Sequence, residues 1–192
     1  ATPPAICEVA RPIERDVIDY QIFTARTQAV ENVDIKARVT GYVMKIPFAD
    51  GAMIKKDDVL FQIDDRPYKA TLDKAKADVE YAKASQVKAK AFFDIGVAVQ
   101  KENKAAISQQ ELDRRKGALE ESVAQVKQAQ ASQENAQINF DWCTVRSPID
   151  GRINRHLVDI GALVSENMTT VTNVVSIKPI WAYFDVDQNS AL

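Results

Sequence analysis

The 192-residue sequence predicts an α+β protein: one small β-domain assembled from two sequence-separated halves, with a long antiparallel helical hairpin inserted between them. Three observations carry this. A glycine phrase occurs twice, about 110 residues apart, as Gly41-Tyr42-Val43 with Gly51-Ala52-Met53-Ile54 and then Gly151-Arg152-Ile153 with Gly161-Ala162-Leu163-Val164. Between the copies, residues 66 to 141 hold no proline after Pro67 and are rich in Ala, Lys, Gln and Glu, all strong helix formers. Residues 1 to about 36 alternate apolar and polar residues, the period of half-buried strands. A repeat of this kind suggests two half-motifs of a single domain. The layout favours a spacer or an assembly device over a catalyst.

The elements follow in order. Residues 1 to about 36 read as strands, as in Val17-Ile18-Asp19-Tyr20-Gln21-Ile22-Phe23 and Val30-Glu31-Asn32-Val33-Asp34-Ile35. Short strands broken by Gly41, Pro47 and Gly51 fill residues 37–64 and close with Val59-Leu60-Phe61-Gln62-Ile63. After the helical stretch, strands return from Cys143 to Ile177, punctuated by Pro148, Gly151 and Gly161. A last strand runs through Ile180-Trp181-Ala182-Tyr183-Phe184-Asp185-Val186. The first and last segments read as pieces of a further β-domain. A sheet left with open edges is unstable alone, so the chain is expected to be part of a longer protein.

The helical stretch shows a coiled-coil seam. Steps of seven give Leu72, Val79, Gln86, Phe93 and Gln100, with Ala75, Ala82, Ala89, Gly96 and Asn103 three positions further on. In the second half they give Leu112, Leu119, Val126, Gln133 and Phe140, with Arg115, Ser122, Ala129 and Ala136 as companions. Larger residues alternating with small ones let two helices approach closely. Folding back near residue 106 sets Leu72 level with Phe140 and Phe93 level with Leu119. Ser108-Gln109-Gln110-Glu111 reads as a capping box, which starts the second helix at about 109 and leaves Asn103 to Ile107 as the turn. Glu111 and Arg115 form a favourable i,i+4 pair. Pro67 suits the first turn of the first helix, with Asp65 as its cap. Roughly 38 residues per helix give a rod of about 57 Å, too long for the core of a compact domain. Gly96 and Gly117 fall nearly level and soften the distal third.

Composition excludes several classes. A net charge of −2 offers no bulk attraction to nucleic acid. No run approaches the roughly 18 apolar residues of a membrane span. Ala1-Thr2-Pro3-Pro4 shows no signal-peptide pattern, and Cys7 lacks a convincing lipobox before it. Two cysteines, Cys7 and Cys143, make neither a disulfide framework nor a metal site and read as small hydrophobes. His156 is the only histidine, so neither a His-based metal cluster nor a Ser-His-Asp set can be assembled; it reads as a surface strand residue. Asp64 and Asp65 are adjacent, so their side chains diverge on a strand, and they read as a strand end and a helix cap rather than a catalytic pair. The lysines between Lys69 and Lys90 alternate with Asp73, Asp78 and Glu80, which is a solvated helix face. Trp142 is placed to plug the end of the second helix. No catalytic residue, cofactor or metal is assigned.

Five phrases carry a resemblance to a known family: Ala37-Arg38-Val39-Thr40-Gly41-Tyr42-Val43, Val59-Leu60-Phe61-Gln62-Ile63-Asp64-Asp65-Arg66-Pro67-Tyr68, Ala106-Ile107-Ser108-Gln109-Gln110-Glu111-Leu112-Asp113, Val145-Arg146-Ser147-Pro148-Ile149-Asp150-Gly151-Arg152-Ile153 and Pro179-Ile180-Trp181-Ala182-Tyr183-Phe184-Asp185-Val186. In this order the chain resembles the periplasmic adaptor (membrane fusion, HlyD-like) subunits of RND-type tripartite multidrug efflux pumps. The resemblance implies a lipoyl-like β-sandwich from residues 37–64 and 142–175, an α-hairpin over 65–141, and partial β-barrel or membrane-proximal strands at 1–36 and 176–192. It implies an inner-membrane RND-type transporter, an outer-membrane TolC-type duct and a ring of six copies as partners. It also implies a periplasmic location attached to the inner membrane. Lys101, Asn103, Lys104, Ala106, Ile107, Ser108 and Gln109 become the expected duct contacts at the tip, and Gly41, Gly51, Gly151, Gly161 and Pro148 the structural positions. Adaptors for the common duct are similar in carrying Arg, Leu and Ser near the tip; here those positions are Val97, Lys101 and Ser108, so only Ser is present.

Two other readings remain in view. An adaptor for an ABC-type or metal exporter differs in partner rather than in fold, although three scattered Met and one His argue against a metal pump. A lipoyl or biotinyl carrier domain would need a lysine in the turn between the halves. The helical hairpin occupies that place, and Lys55 and Lys56 precede the last strand of the first half.

Overall fold

The computed structural model describes residues 11–16, 22–103 and 106–186. In chain order its elements are β1 (Ala25–Ala29), β2 (Asn32–Lys36), β3 (Gly41–Lys45), β4 (Met53–Ile54), β5 (Val59–Ile63), α1 (Arg66–Glu102), α2 (Gln109–Asp141), β6 (Thr144–Arg146), β7 (Gly151–Ile153), β8 (Leu163–Val164), β9 (Thr170–Val175) and β10 (Ile180–Phe184). The chain divides into two units, Ala1–Gln28 with Trp181–Leu192, and Ala29–Ile180.

In the first unit β1 pairs with β10 as a two-stranded sheet. Phe23 stacks on Phe184 at 6.1 Å between ring centroids, and Trp181 meets Tyr183 edge-on at 6.2 Å. These rings are exposed. Of the strand expected over Val17–Phe23, Val17–Gln21 lie outside the described residues, and Ile22 and Phe23 precede β1 without joining it.

The second unit is a sandwich of two four-stranded sheets, ordered β2-β9-β7-β4 and β6-β5-β3-β8. Each sheet takes strands from both copies of the glycine phrase. Gly41 stands opposite Val164 across β3–β8, and Gly151 stands opposite Ile54 across β4–β7. The halves are therefore interleaved, which is why neither buries its apolar face alone. Leu60, Phe61, Ile63, Val43, Ile153, Val164, Val171 and Val174 fill the space between the sheets, each at most 1% exposed. Burying a side chain of this size stabilises by roughly 1.5–3 kcal/mol. Buried polar groups are satisfied locally: the Thr172 hydroxyl donates to the Arg155 carbonyl at 3.0 Å, and that of Ser147 to the Ile149 carbonyl at 2.7 Å.

The segment at 32–36 departs from expectation. Periodicity grouped it with the terminal strands, but β2 pairs with β9, from Asn32 opposite Val175 to Lys36 opposite Thr170. Alternation fixes which residues point inward and not which sheet receives them. Ile35, 5% exposed, is buried in the sandwich core, so the sandwich begins before residue 36.

The hairpin helices, of 37 and 33 residues, are about 55 and 50 Å long at about 1.5 Å per residue. They meet along the expected seam. Leu72, Ala75, Val79, Ala82 and Gly96 are buried on α1, and Ser122, Val126 and Ala136 on α2. Phe140 packs on Leu72, Ala75 and Ala136, as the level pairing requires. Among the described residues, Tyr68 and Trp142 at the base of the helices pack against the sandwich core. The Tyr68 hydroxyl donates to the Thr40 carbonyl at 2.7 Å, and the Arg38 guanidinium lies 5.6 Å from the Trp142 ring. The start of α1 differs in detail from expectation. Asp65 is the N-cap residue but makes no side-chain cap bond, because its backbone is already helical, with φ −88° and ψ −11°. The Asp64 carboxylate takes that role, accepting from the Arg66 amide at 3.1 Å and from its guanidinium at 2.7 and 2.9 Å. Those bonds hold the Asp64 carboxyl at about 2.

Candidate partner-binding site at the hairpin tip

The tip is built by two different helix ends. α1 stops at Asn103, whose extended backbone (φ −143°) leaves the helix after its amide donates to the Val99 carbonyl at 2.9 Å. Lys101 in the last turn complements the negative end of the helix dipole. α2 starts from Ser108, extended at ψ 153°, whose hydroxyl accepts from the Glu111 amide at 3.2 Å. Half of the expected capping box is therefore formed. The Glu111 carboxylate is held by Arg115 Nε at 3.0 Å and Arg114 Nη2 at 2.9 Å rather than turned back to the Ser108 amide. Bonds from Arg115 and then Arg114 lower its pKa.

Of the expected contact residues, Lys101, Asn103, Ala106, Ser108 and Gln109 are exposed and Ile107 is half-buried, while Lys104 lies outside the described residues. Gln109 is tied on both sides, accepting from Gln100 at 3.3 Å and donating to Asp113 at 3.0 Å. Val97, where the resemblance led an Arg to be expected, is half-buried. The described tip is a small, largely polar surface with exposed amides, Ala106 and the half-buried Ile107. Such a surface can dock on another protein, and it holds no nucleophile–base pair.

The structural positions behave as two kinds. A Cβ on Gly41 would lie 2.6 Å from Ile63 Cγ2, and one on Gly151 would overlap the Val175 carbonyl oxygen, so these two permit close strand approach. Gly51 and Gly161 turn the chain at φ +74° and +88°, where a side chain is strained. Pro148 is exposed and follows the buried Ser147 in the bend before β7.

His156 lies in the loop after β7 rather than in a strand. Its Nδ1 is 2.8 Å from Asp50 Oδ1, which also accepts from the His156 amide at 3.1 Å. This bond raises the pKa of His156 and lowers that of Asp50. The pair ties the loop of one half to the loop of the other, a contact that no sequence signal announced. Cys143 is buried, and desolvation pushes its thiol to about 11, so it is inert packing. Among the described residues no cluster of His, Cys, Asp and Glu could hold a metal ion, and no helix is long and apolar enough to cross a membrane.

An interleaved two-half sandwich carrying a helical hairpin defines a barrel-sandwich hybrid, and the chain belongs to the RND membrane fusion proteins: residues 31–176 match the family described as RND MFP, barrel-sandwich hybrid domain. It is similar to the multidrug resistance protein MdtA of Escherichia coli O6:H1, 31% identical over 176 residues that cover 92% of this chain and 42% of the relative. MdtA of Klebsiella pneumoniae is 31% identical over 184 residues, covering 95% and 44%. The chain thus spans less than half the length of these relatives. Among solved structures, a MacA–MexA chimera containing the Pseudomonas aeruginosa MexA α-hairpin superposes with a TM-score of 0.64 at 25% identity, over 89% of this chain and 59% of that one.

Proposed function

We propose that this chain is part of a periplasmic adaptor. In this reading it joins an inner-membrane RND-type transporter to a TolC-type outer-membrane duct, for export of drugs or other toxic small molecules. The observation that carries the proposal is the projecting two-helix hairpin on an interleaved sandwich, in a member of the RND membrane fusion family. A rod of about 55 Å with a polar tip is suited to reaching a partner and not to enclosing a substrate. The relatives' name, multidrug resistance protein, supports the substrate class. Membership in the RND branch supports an RND-type pump over an ABC-type or metal exporter. Lys101, Asn103, Lys104, Ala106, Ile107, Ser108 and Gln109 are the proposed duct contacts, and a ring of six copies the proposed assembly. The protein is proposed to act by bridging, without a cofactor or chemistry of its own, attached to the inner membrane.

Deleting residues 101–108 from the full-length protein tests this. The deletion is expected to abolish drug resistance in cells while the protein accumulates and retains its helical circular dichroism. Full resistance with the tip removed would overturn the proposal.

A further inference from the structure

The seam of the hairpin changes character near the tip. Over most of its length it is built of Leu, Val, Phe, Ala and Gln, but one of its positions on α2 is Arg115. Its side chain, 28% exposed, stays within the seam. Nη1 donates across to the Phe92 carbonyl of α1 at 3.1 Å, and Nε donates to Glu111 Oε1 at 3.0 Å. Glycine at residue 96 leaves the side chain room to lie close against α1. A Cβ there would meet Arg115 Nη1 at 3.1 Å, Arg115 Cδ at 3.3 Å and Leu112 Cδ1 at 3.4 Å. Gly96 is buried, whereas Gly117, nearly level with it in sequence, has open space around it. The two glycines are therefore not equivalent: one is a notch and the other is not.

We propose that Arg115, seated in the Gly96 notch, is a positioning residue that locks the axial register of α1 against α2, and so presents the tip in one setting. Apolar seam contacts are non-directional and leave neighbouring settings close in energy. A single polar seam residue with a directional partner selects one setting, even where it adds little stability. A slide of one turn, about 5.4 Å, removes the Phe92 carbonyl from reach and sets the guanidinium against Phe93 or Gln100, where no notch exists. Glu111 completes the device. It lies in the first turn of α2, three residues after the Ser108 cap, so the residue that fixes register is tied to the turn that forms the tip.

The test is a spin-label distance measurement on the full-length protein, with its cysteines other than the buried Cys143 replaced by serine. One label pair, Ala98→Cys with Lys116→Cys, reports the tip-proximal end; the other, Ala84→Cys with Lys127→Cys, reports the middle of the rod. All four positions are exposed. In the parent, both pairs are expected to give single narrow distances. Arg115→Met is expected to split or broaden the tip-proximal distance, with a second population displaced by roughly 5 Å, and to leave the middle pair unchanged. Gly96→Leu, which keeps Arg115 and improves helix propensity but fills the space of its guanidinium, is expected to do the same, and it decides the question if Arg115→Met fails to fold. A tip-proximal distance as narrow as the parent's in both variants would overturn the lock. The link from register to docking rests on the proposed adaptor function and is read separately. In cells carrying the full-length protein, Arg115→Met is expected to reduce drug resistance. Split distances with undiminished resistance would leave the lock standing and overturn that link.

Discussion

Asp57 and Asn167, 110 positions apart, both adopt left-handed backbone, at φ +70° and +57°. Their amides make equivalent bonds at 2.8 Å, Asp57 to the Ser147 carbonyl and Asn167 to the Ala37 carbonyl, and the acceptors are again 110 positions apart. Gly51 and Gly161 repeat the relationship, as do the bonds from Val43 to Ala162 and from Ile153 to Ala52, each 3.0 Å. The duplicated phrase is therefore the visible part of a pseudo-twofold in which these bonds from one half have counterparts from the other. Asp and Asn tolerate this conformation better than most residues, and the structure adds the pair to the repeat.

That close approach predicts opposite outcomes for two glycine substitutions. Gly151→Ala sets a methyl against the Val175 carbonyl and is expected to destabilise the sandwich by about 2 kcal/mol or more, since backbone must move. Gly117→Ala enters open space in an exposed helix and is expected to stabilise by up to about 1 kcal/mol. Urea unfolding of the two variants checks both signs, and equal midpoints would contradict the packing described for Gly151.

At the tip, Ser108→Ala removes the hydroxyl that receives the Glu111 amide, and should cost about 1 kcal/mol locally. Amide hydrogen exchange is expected to speed up over residues 109–112 while residues 66–85 stay protected. Faster exchange throughout both helices would mean that the cap supports the whole hairpin.

Two adjacent aspartates at the hairpin base are distinguished in the same way. Asp64→Ala removes the acceptor of the Arg66 amide and guanidinium, whereas Asp65→Ala removes no side-chain cap bond. The first variant is expected to melt at a lower temperature than the second in thermal circular dichroism, and the reverse order would contradict this assignment.

The His156–Asp50 pair predicts a pH dependence. Folding raises the His156 pKa above its ordinary 6.5, so its contribution is complete below that value and is lost as pH rises through the folded-state pKa. Folding lowers the Asp50 pKa below its ordinary 3.8, so its contribution is present above that value and is lost as pH falls through the folded-state pKa. The pair acts fully between these limits. Compared with the parent, His156→Ala is expected to lose stability within that window and to converge with it at higher pH. A difference that did not vary with pH would rule out the ion pair as its source.

Local regularities were legible in the sequence, and contacts between distant segments were not. Heptad spacing located the seam from Leu72 to Phe140, and the Ser108 cap located the start of α2, because helix bonds and capping are made between residues three or four apart. The glycine phrase announced two halves of one domain by simple recurrence. The tertiary structure alone decided that β2 joins β9 rather than the terminal strands, that Asp64 and not Asp65 holds the Arg66 amide, that Asp50 meets His156, and that Gly96 makes room for Arg115 while Gly117 faces solvent. Each of these depends on which surfaces meet once the chain has closed on itself, and alternation or propensity along the chain has the same value whichever partner is chosen.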